Sequence, residues 1–129
     1  MTIEVAIEST IERAPADVFA AIADLDAWPT WLIASGIRAV RRLREGLPVV
    51  GERLVVEQDA AGRSGTFDAE VTLIEPGSRL ALHGRDADGV TIDIDAVVRA
   101  AAESAGGVTE LRWSVRIGLP LRYRVFVRL

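Results

Sequence analysis

A chain of 129 residues with a net charge of −4 has the size of one domain, expected to bury roughly two thirds of its unfolded surface. Half its residues are hydrophobic and 26% are charged, an ordinary globular composition, and the acidic balance argues against a nucleic-acid partner. The absence of cysteine excludes disulfides, thiolate nucleophiles and cysteine metal sites.

All 15 basic residues are arginine, which with the many alanines reads as a habit of a GC-rich genome rather than a binding feature. The opening MTIEVAIEST has no basic segment followed by an apolar core, so no signal peptide is expected. No apolar run approaches the ~20 residues of a membrane helix, and the expectation is a cytoplasmic protein without membrane insertion.

Ile3, Val5, Ile7 and Ile11 alternate with Glu4, Glu8 and Glu12, the period of a half-buried strand with an acidic outer face. Ser9 interrupts the inward row. At Ala14-Pro15 the period changes. Pro15 suits a first helical position and Asp17 the positive first turn. Val18, Phe19, Ile22 and Leu25 then form one apolar stripe. Asp24 and Asp26 bracket a break, with Asp26 the expected N-cap of a second short helix. In that helix Trp28, Trp31 and Leu32 share a face, and Gly36 ends the helical section.

From Ile37 onward the sequence reads as strands and turns. Ile37 to Arg44 holds three arginines before its last position and alternates poorly. Glu52 to Gln58 puts Leu54 and Val56 on one face. Phe67, Ala69, Val71 and Leu73 form the next row, followed by Leu80 and Leu82, then Val90 to Val98, then Leu111, Trp113, Val115 and Ile117. Antiparallel partners must match apolar to apolar, and this sets registers. A four-residue loop at Ser104 to Gly107 puts Val98 opposite Trp113 and Ala96 opposite Val115. A turn at Pro76-Gly77 puts Leu73 opposite Leu80 and Val71 opposite Leu82, and a loop at Ala60 to Arg63 puts Val56 opposite Phe67. A three-residue loop ending at a left-handed Gly89 puts Leu82 opposite Ile94. The result is an α+β single domain (residues 1–129): an antiparallel sheet of about six to seven strands with one apolar face and two short helices.

The order of strand, short helix pair and antiparallel meander, with Ala14-Pro15-Ala16-Asp17-Val18-Phe19 and Asp24-Leu25-Asp26-Ala27-Trp28-Pro29-Thr30-Trp31, resembles the START-like or SRPBCC superfamily, in its polyketide cyclase/dehydrase and lipid-transport branch. The resemblance implies a helix-grip fold, with a curved sheet around a long C-terminal helix and an apolar cavity between them. This sequence departs from that pattern, because Leu119 to Leu129 offer at most the beginning of such a helix. Trimming, disorder of the helix or cover by a partner chain would each explain this, and trimming or disorder is favoured over a natural truncation.

His83 is the only histidine and the weak candidate for a general base. Alternation and register place it on the solvent side, across from Asp93, so no catalytic residue is assigned. One histidine without cysteine supports no metal site, and no cofactor is expected. Asp86, Asp88, Asp93 and Asp95 read as a solvated acidic edge. Arg99 and Arg112 face outward by phase.

The candidate ligand-binding residues are Trp28, Trp31, Leu32, Phe67, Val71, Leu82, Ile94, Val98 and Trp113, which all face the expected interior. The clearest inward positions offer no polar side chain but Ser9. The expected function is binding of a small hydrophobic molecule, a lipid, polyketide or aromatic metabolite. The alternatives are a polyketide cyclase or dehydratase using His83, and an interaction module or homodimer formed through the apolar sheet face.

Overall fold

The computed structural model describes residues 1–31, 36–60, 62–101 and 107–120, without the side chains of Trp31, Ala60 and Arg63. The strands are β1 (Thr2–Ile11), β2 (Ile37–Arg42), β3 (Arg53–Ala60), β4 (Arg63–Glu75), β5 (Arg79–Arg85), β6 (Thr91–Ala100) and β7 (Thr109–Gly118). Between β1 and β2 run helix α1 (Pro15–Ala23), a 3-10 turn (Leu25–Ala27) and helix α2 (Trp28–Trp31).

All strands form one antiparallel sheet in the order β1-β7-β6-β5-β4-β3-β2. Consecutive strands from β2 to β7 are neighbours, and β1 joins the far edge beside β7. The two edge strands are therefore consecutive in sequence, and the helical segment between them must cross the sheet. It does so over the apolar face: α1 packs on β5, β6 and β7, and the 3-10 turn and α2 on β2. This gives the curled sheet and helical cover of the helix-grip fold.

Helix α1 starts where Pro15 needs no N–H partner, with Asp17 in the first turn and the Val18 amide bonded to the Ala14 carbonyl. Its stripe is buried at Val18 and Ile22, with Phe19 half-buried and Leu25 following in the 3-10 turn. Asp26 is not the expected N-cap. The 3-10 turn runs straight into α2, so there is no separate helix start to cap, and the Asp26 carboxylate instead lies 3.3 Å from Arg42 Nη1.

Val56 pairs with Phe67, Val71 with Leu82, and Leu82 with Ile94. The last follows from a tight turn: Asp86 and Val90 are joined by a backbone bond, and Gly89 has φ of +85°. Two registers differ from expectation. A β-bulge between Val71 and Leu73 puts Leu80 opposite Ile74 instead of Leu73. On β6 and β7, Val98 pairs with Leu111 and Ala96 with Trp113. The slip is two residues, which keeps every side chain on its face, so apolar matching cannot detect it; the connection from 101 to 108 is longer than a four-residue loop.

On β1 the phase is as expected, with Val5 opposite Val115 and Ile7 opposite Trp113. The burial is not: Val5 is 54% exposed and Ile7 36%, because the helices lie over the neighbouring strands and leave β1 uncovered among the described residues. On β2 the poor alternation has a cause. A bulge between Ile37 and Ala39 shifts the phase, and Arg42 then falls on the inner side opposite Leu54.

Candidate ligand-binding site

The concave face collects its apolar residues from every strand and from the helical segment. Trp28 is fully buried, and its indole N–H donates to the Ile22 carbonyl at 2.8 Å, tying α2 back onto the end of α1. Its ring meets Trp113 of β7 edge to face, with centroids 5.0 Å apart and planes at 85°. Phe67, Val71, Leu82, Ile94 and Val98 are buried in the same cluster. Trp31 lies in α2, but its side chain falls outside the described residues, as does Leu32 entirely. Seven of the nine expected ligand contacts are thus gathered in one packed layer.

The open space on this side lies at the margin of that layer. A pocket of about 350 Å³ is bounded by Ile11 of β1, Val18, Ala21 and Ile22 of α1, and Leu111 of β7, together with Arg13 and Asp17. Ile22 touches both regions, since its carbonyl holds the Trp28 indole. The inward side chains of Val5, Ile7 and Ser9 continue the surface along β1 and are exposed.

Three polar features of the inner side escape a reading of the sequence. Gln58 is fully buried. The alternation that turns Leu54 and Val56 inward continues to it, so the signal was present in the spacing. Thr109 is fully buried and donates to the Arg13 carbonyl at 2.7 Å, fastening the start of β7 to the turn before α1. Ser9 is therefore not the only inward polar group, and it is itself exposed. Among the described residues the Trp113 indole N–H has no hydrogen-bond partner.

The third feature is a buried ion pair. Arg42 donates to Glu52 through Nε at 2.6 Å and Nη2 at 3.0 Å, with side chains only 2% and 3% exposed. Burial alone would push the Glu52 carboxyl up. The hydrogen bond and charge of Arg42, the Val49 N–H and the charge of Arg44 outweigh it and hold the carboxyl below its ordinary range. The bond to Glu52 is the main reason the Arg42 guanidinium is pushed up, against the opposing effect of burial. No local periodicity announces this pair, because it depends on the β2 bulge that turns Arg42 inward.

His83 stands on the outer face, opposite Asp93 and about half exposed, with Nδ1 2.6 Å from Asp93 Oδ1. It lines a separate outer depression of about 540 Å³ that also holds Arg53, Arg85 and Leu43. Exposed pairs of this kind contribute little, so His83→Ala should move the urea midpoint by under ~1 kcal/mol in stability. It should also leave binding on the concave side unchanged. A larger loss in either measurement would give His83 a role the geometry does not suggest.

The acidic edge dissolves into local tasks. Asp95 accepts both Nε and Nη2 of Arg79, Asp93 meets His83, and Asp86 Oδ1 accepts the amides of Asp88 and Val90 in the turn. Arg99 and Arg112 are outward, facing Glu110 and Glu8. Among the described residues no helix is long and apolar enough to cross a membrane.

No curated protein matches the sequence. Among solved structures, DR_A0006 from Deinococcus radiodurans is 24% identical with a TM-score of 0.65, over 88% of this chain and 81% of its own. A START superfamily protein from Mycobacterium smegmatis is 16% identical with a TM-score of 0.68, over 92% of this chain and 78% of its own. The Zhui aromatase/cyclase from Streptomyces sp. R1128 is 17% identical with a TM-score of 0.67, over 92% of this chain and 68% of its own. At these identities the likeness speaks for the fold. A family model described as polyketide cyclase/dehydrase and lipid transport matches residues 2–128. With that match over nearly the whole chain, and a curled seven-stranded sheet crossed by short helices, the chain belongs to the polyketide cyclase/dehydrase and lipid-transport family.

Proposed function

We propose that the chain binds a small hydrophobic molecule (a lipid, polyketide or aromatic metabolite) on its concave side, entering between α1 and the β1–β7 edge. The observation that carries this reading is the apolar pocket there, bounded by Ile11, Val18, Ala21, Ile22 and Leu111 and continued by the exposed side chains of Val5 and Ile7. Concave, mostly apolar surfaces with few polar groups are the usual form of such sites. Only Arg13 and Asp17 ionise among the lining residues, so the pocket is equipped to hold a molecule by burial more than to move its protons.

In this reading Trp28, Phe67, Val71, Leu82, Ile94, Val98 and Trp113 form the apolar floor. A ligand seated at the margin quenches or shifts the tryptophan emission through that floor.

The test is titration of the protein with fatty acids and with polycyclic aromatic probes, followed by tryptophan fluorescence and native mass spectrometry. Saturable binding is expected. Ala21→Phe, which fills the pocket from the side of α1, should weaken it by about tenfold without lowering the melting temperature. Absence of any retained ligand, or an unchanged affinity in Ala21→Phe, would reject the site.

A further inference from the structure

Six large hydrophobic side chains stand exposed among the described residues, and four of them lie in the β2–β3 loop. They are Leu43 at 101%, Leu47 at 72%, Val49 at 46% and Val50 at 61% exposure. Single exposed apolar residues are common, but a cluster of four on one connection marks a contact surface.

The loop is not loose. Pro48 is buried, the Gly51 amide bonds to the Val71 carbonyl at 2.8 Å, and the Val71 amide returns to the Glu52 carbonyl at 2.9 Å. At its neck the Arg42–Glu52 pair joins the last residue of β2 to the residue preceding β3, and Glu52 Oε1 also accepts the Val49 amide at 3.4 Å. The apolar side chains are therefore held outward by a braced backbone.

Arginines flank them. Of the five in residues 38–53, Arg42 is buried against Glu52, whereas Arg38, Arg41, Arg44 and Arg53 stand exposed, the first two beside Asp59 and Glu57. Arg41 and Arg44 keep 69% and 43% of their side chains exposed even while facing Glu57 and Glu52. Leu43 shares an outer depression with Arg41, Arg53 and Arg85, where the arginines stand beside the carboxylates of Asp68 and Glu70.

We propose that the β2–β3 loop docks the protein on an anionic lipid surface. Leu43, Leu47, Val49 and Val50 enter the boundary between headgroups and acyl chains, and the flanking arginines meet the phosphates. An aliphatic tip flanked by arginines suits that boundary, where guanidinium stems lie along apolar material and their heads stay wet. Basic residues near an anionic leaflet each add attraction that falls off within a Debye length. The contact is peripheral and spans nothing. It is independent of the ligand pocket, which lies across the sheet at the β1–β7 edge.

Co-sedimentation of the full chain with vesicles tests it. The protein should partition onto phosphatidylcholine mixed with phosphatidylglycerol, and about tenfold less onto phosphatidylcholine alone. Raising salt to about 1 M, where the Debye length is ~3 Å, should release it. The double variant Leu47→Ser/Val50→Ser should bind mixed vesicles about tenfold more weakly with an unchanged urea midpoint. As a second reading, Leu47→Trp should show a blue-shifted emission on mixed vesicles, quenched by brominated acyl chains.

Wild-type protein that stays in solution with both vesicle types overturns the proposal. So does a double variant that binds as well as wild type, or a Leu47→Trp variant whose emission is unmoved by vesicles. A dimer in sedimentation velocity that the double variant breaks assigns the loop to a second copy, and equally overturns it.

Discussion

Trp28→Ala is expected to lower folding stability by about 4 kcal/mol, measured by urea denaturation. The residue is fully buried, so truncation leaves a cavity the size of an indole beneath α2. It also removes the edge-to-face partner of Trp113 and the 2.8 Å bond to the Ile22 carbonyl. The two tryptophans are distinguished by a milder change. Trp28→Phe keeps an aromatic ring but loses that bond, whereas Trp113→Phe removes an N–H that has no partner among the described residues. Both leave some empty volume, so the difference isolates the hydrogen bond, and Trp28→Phe should be the costlier by about 1 kcal/mol. Equal losses would mean that the indole bond adds nothing to the tie between α1 and α2.

Glu52→Ala is expected to cost about 3 kcal/mol, because it leaves the Arg42 guanidinium, only 2% exposed, with the exposed Asp26 carboxylate in place of its buried partner. Arg42→Met/Glu52→Leu, which removes both charges, should recover most of that loss. The pair also gives the protein an acid limb. Glu52 titrates lower in the folded state than in the unfolded chain, so the unfolded state binds its proton first as the solution is acidified. Its stabilising contribution is whole above the ordinary carboxylate range, about pH 4.3, and is lost as the pH falls through the lower folded value. Urea midpoints of the wild type should therefore fall on acidification through this window, and those of the double variant should fall less. Parallel acid limbs in the two proteins would remove Glu52 from the account.

The same pair shows why part of the molecule could not be read from the chain. Arg42 follows Arg41 in a strand whose alternation is broken by a bulge, and neither residue type nor spacing says which of the two points inward. Its partner Glu52 lies across a loop whose path is settled by bonds to Val71 on β4. Gln58 is a different kind of omission, since period two extended from Leu54 and Val56 already turned it toward the core. A polar residue at a core phase was there to be taken literally.

What the sequence by itself determined was local: the helix start at Pro15, the apolar stripe of α1, the turn at Gly89 and the inward faces of β3 to β7, except at the end of β4, where the bulge turns Ile74 inward in place of the expected Leu73. These follow from periods of 3.6 and 2 and from backbone limits that act within a few residues. It also carried the family through Ala14–Phe19 and Asp24–Trp31. The tertiary structure alone decided the distant choices. Val98 meets Leu111 rather than Trp113, and because a slip of two leaves every face unchanged, apolar matching along the strands does not select between the two registers. Trp28 meets Trp113 because β1 and β2 occupy opposite edges, which forces the helical segment across the sheet. For the same reason β1 keeps Val5 and Ile7 exposed, and the pocket opens at that edge rather than beneath the tryptophans. Periodicity assigns faces; only long-range packing assigns neighbours and leaves space between them.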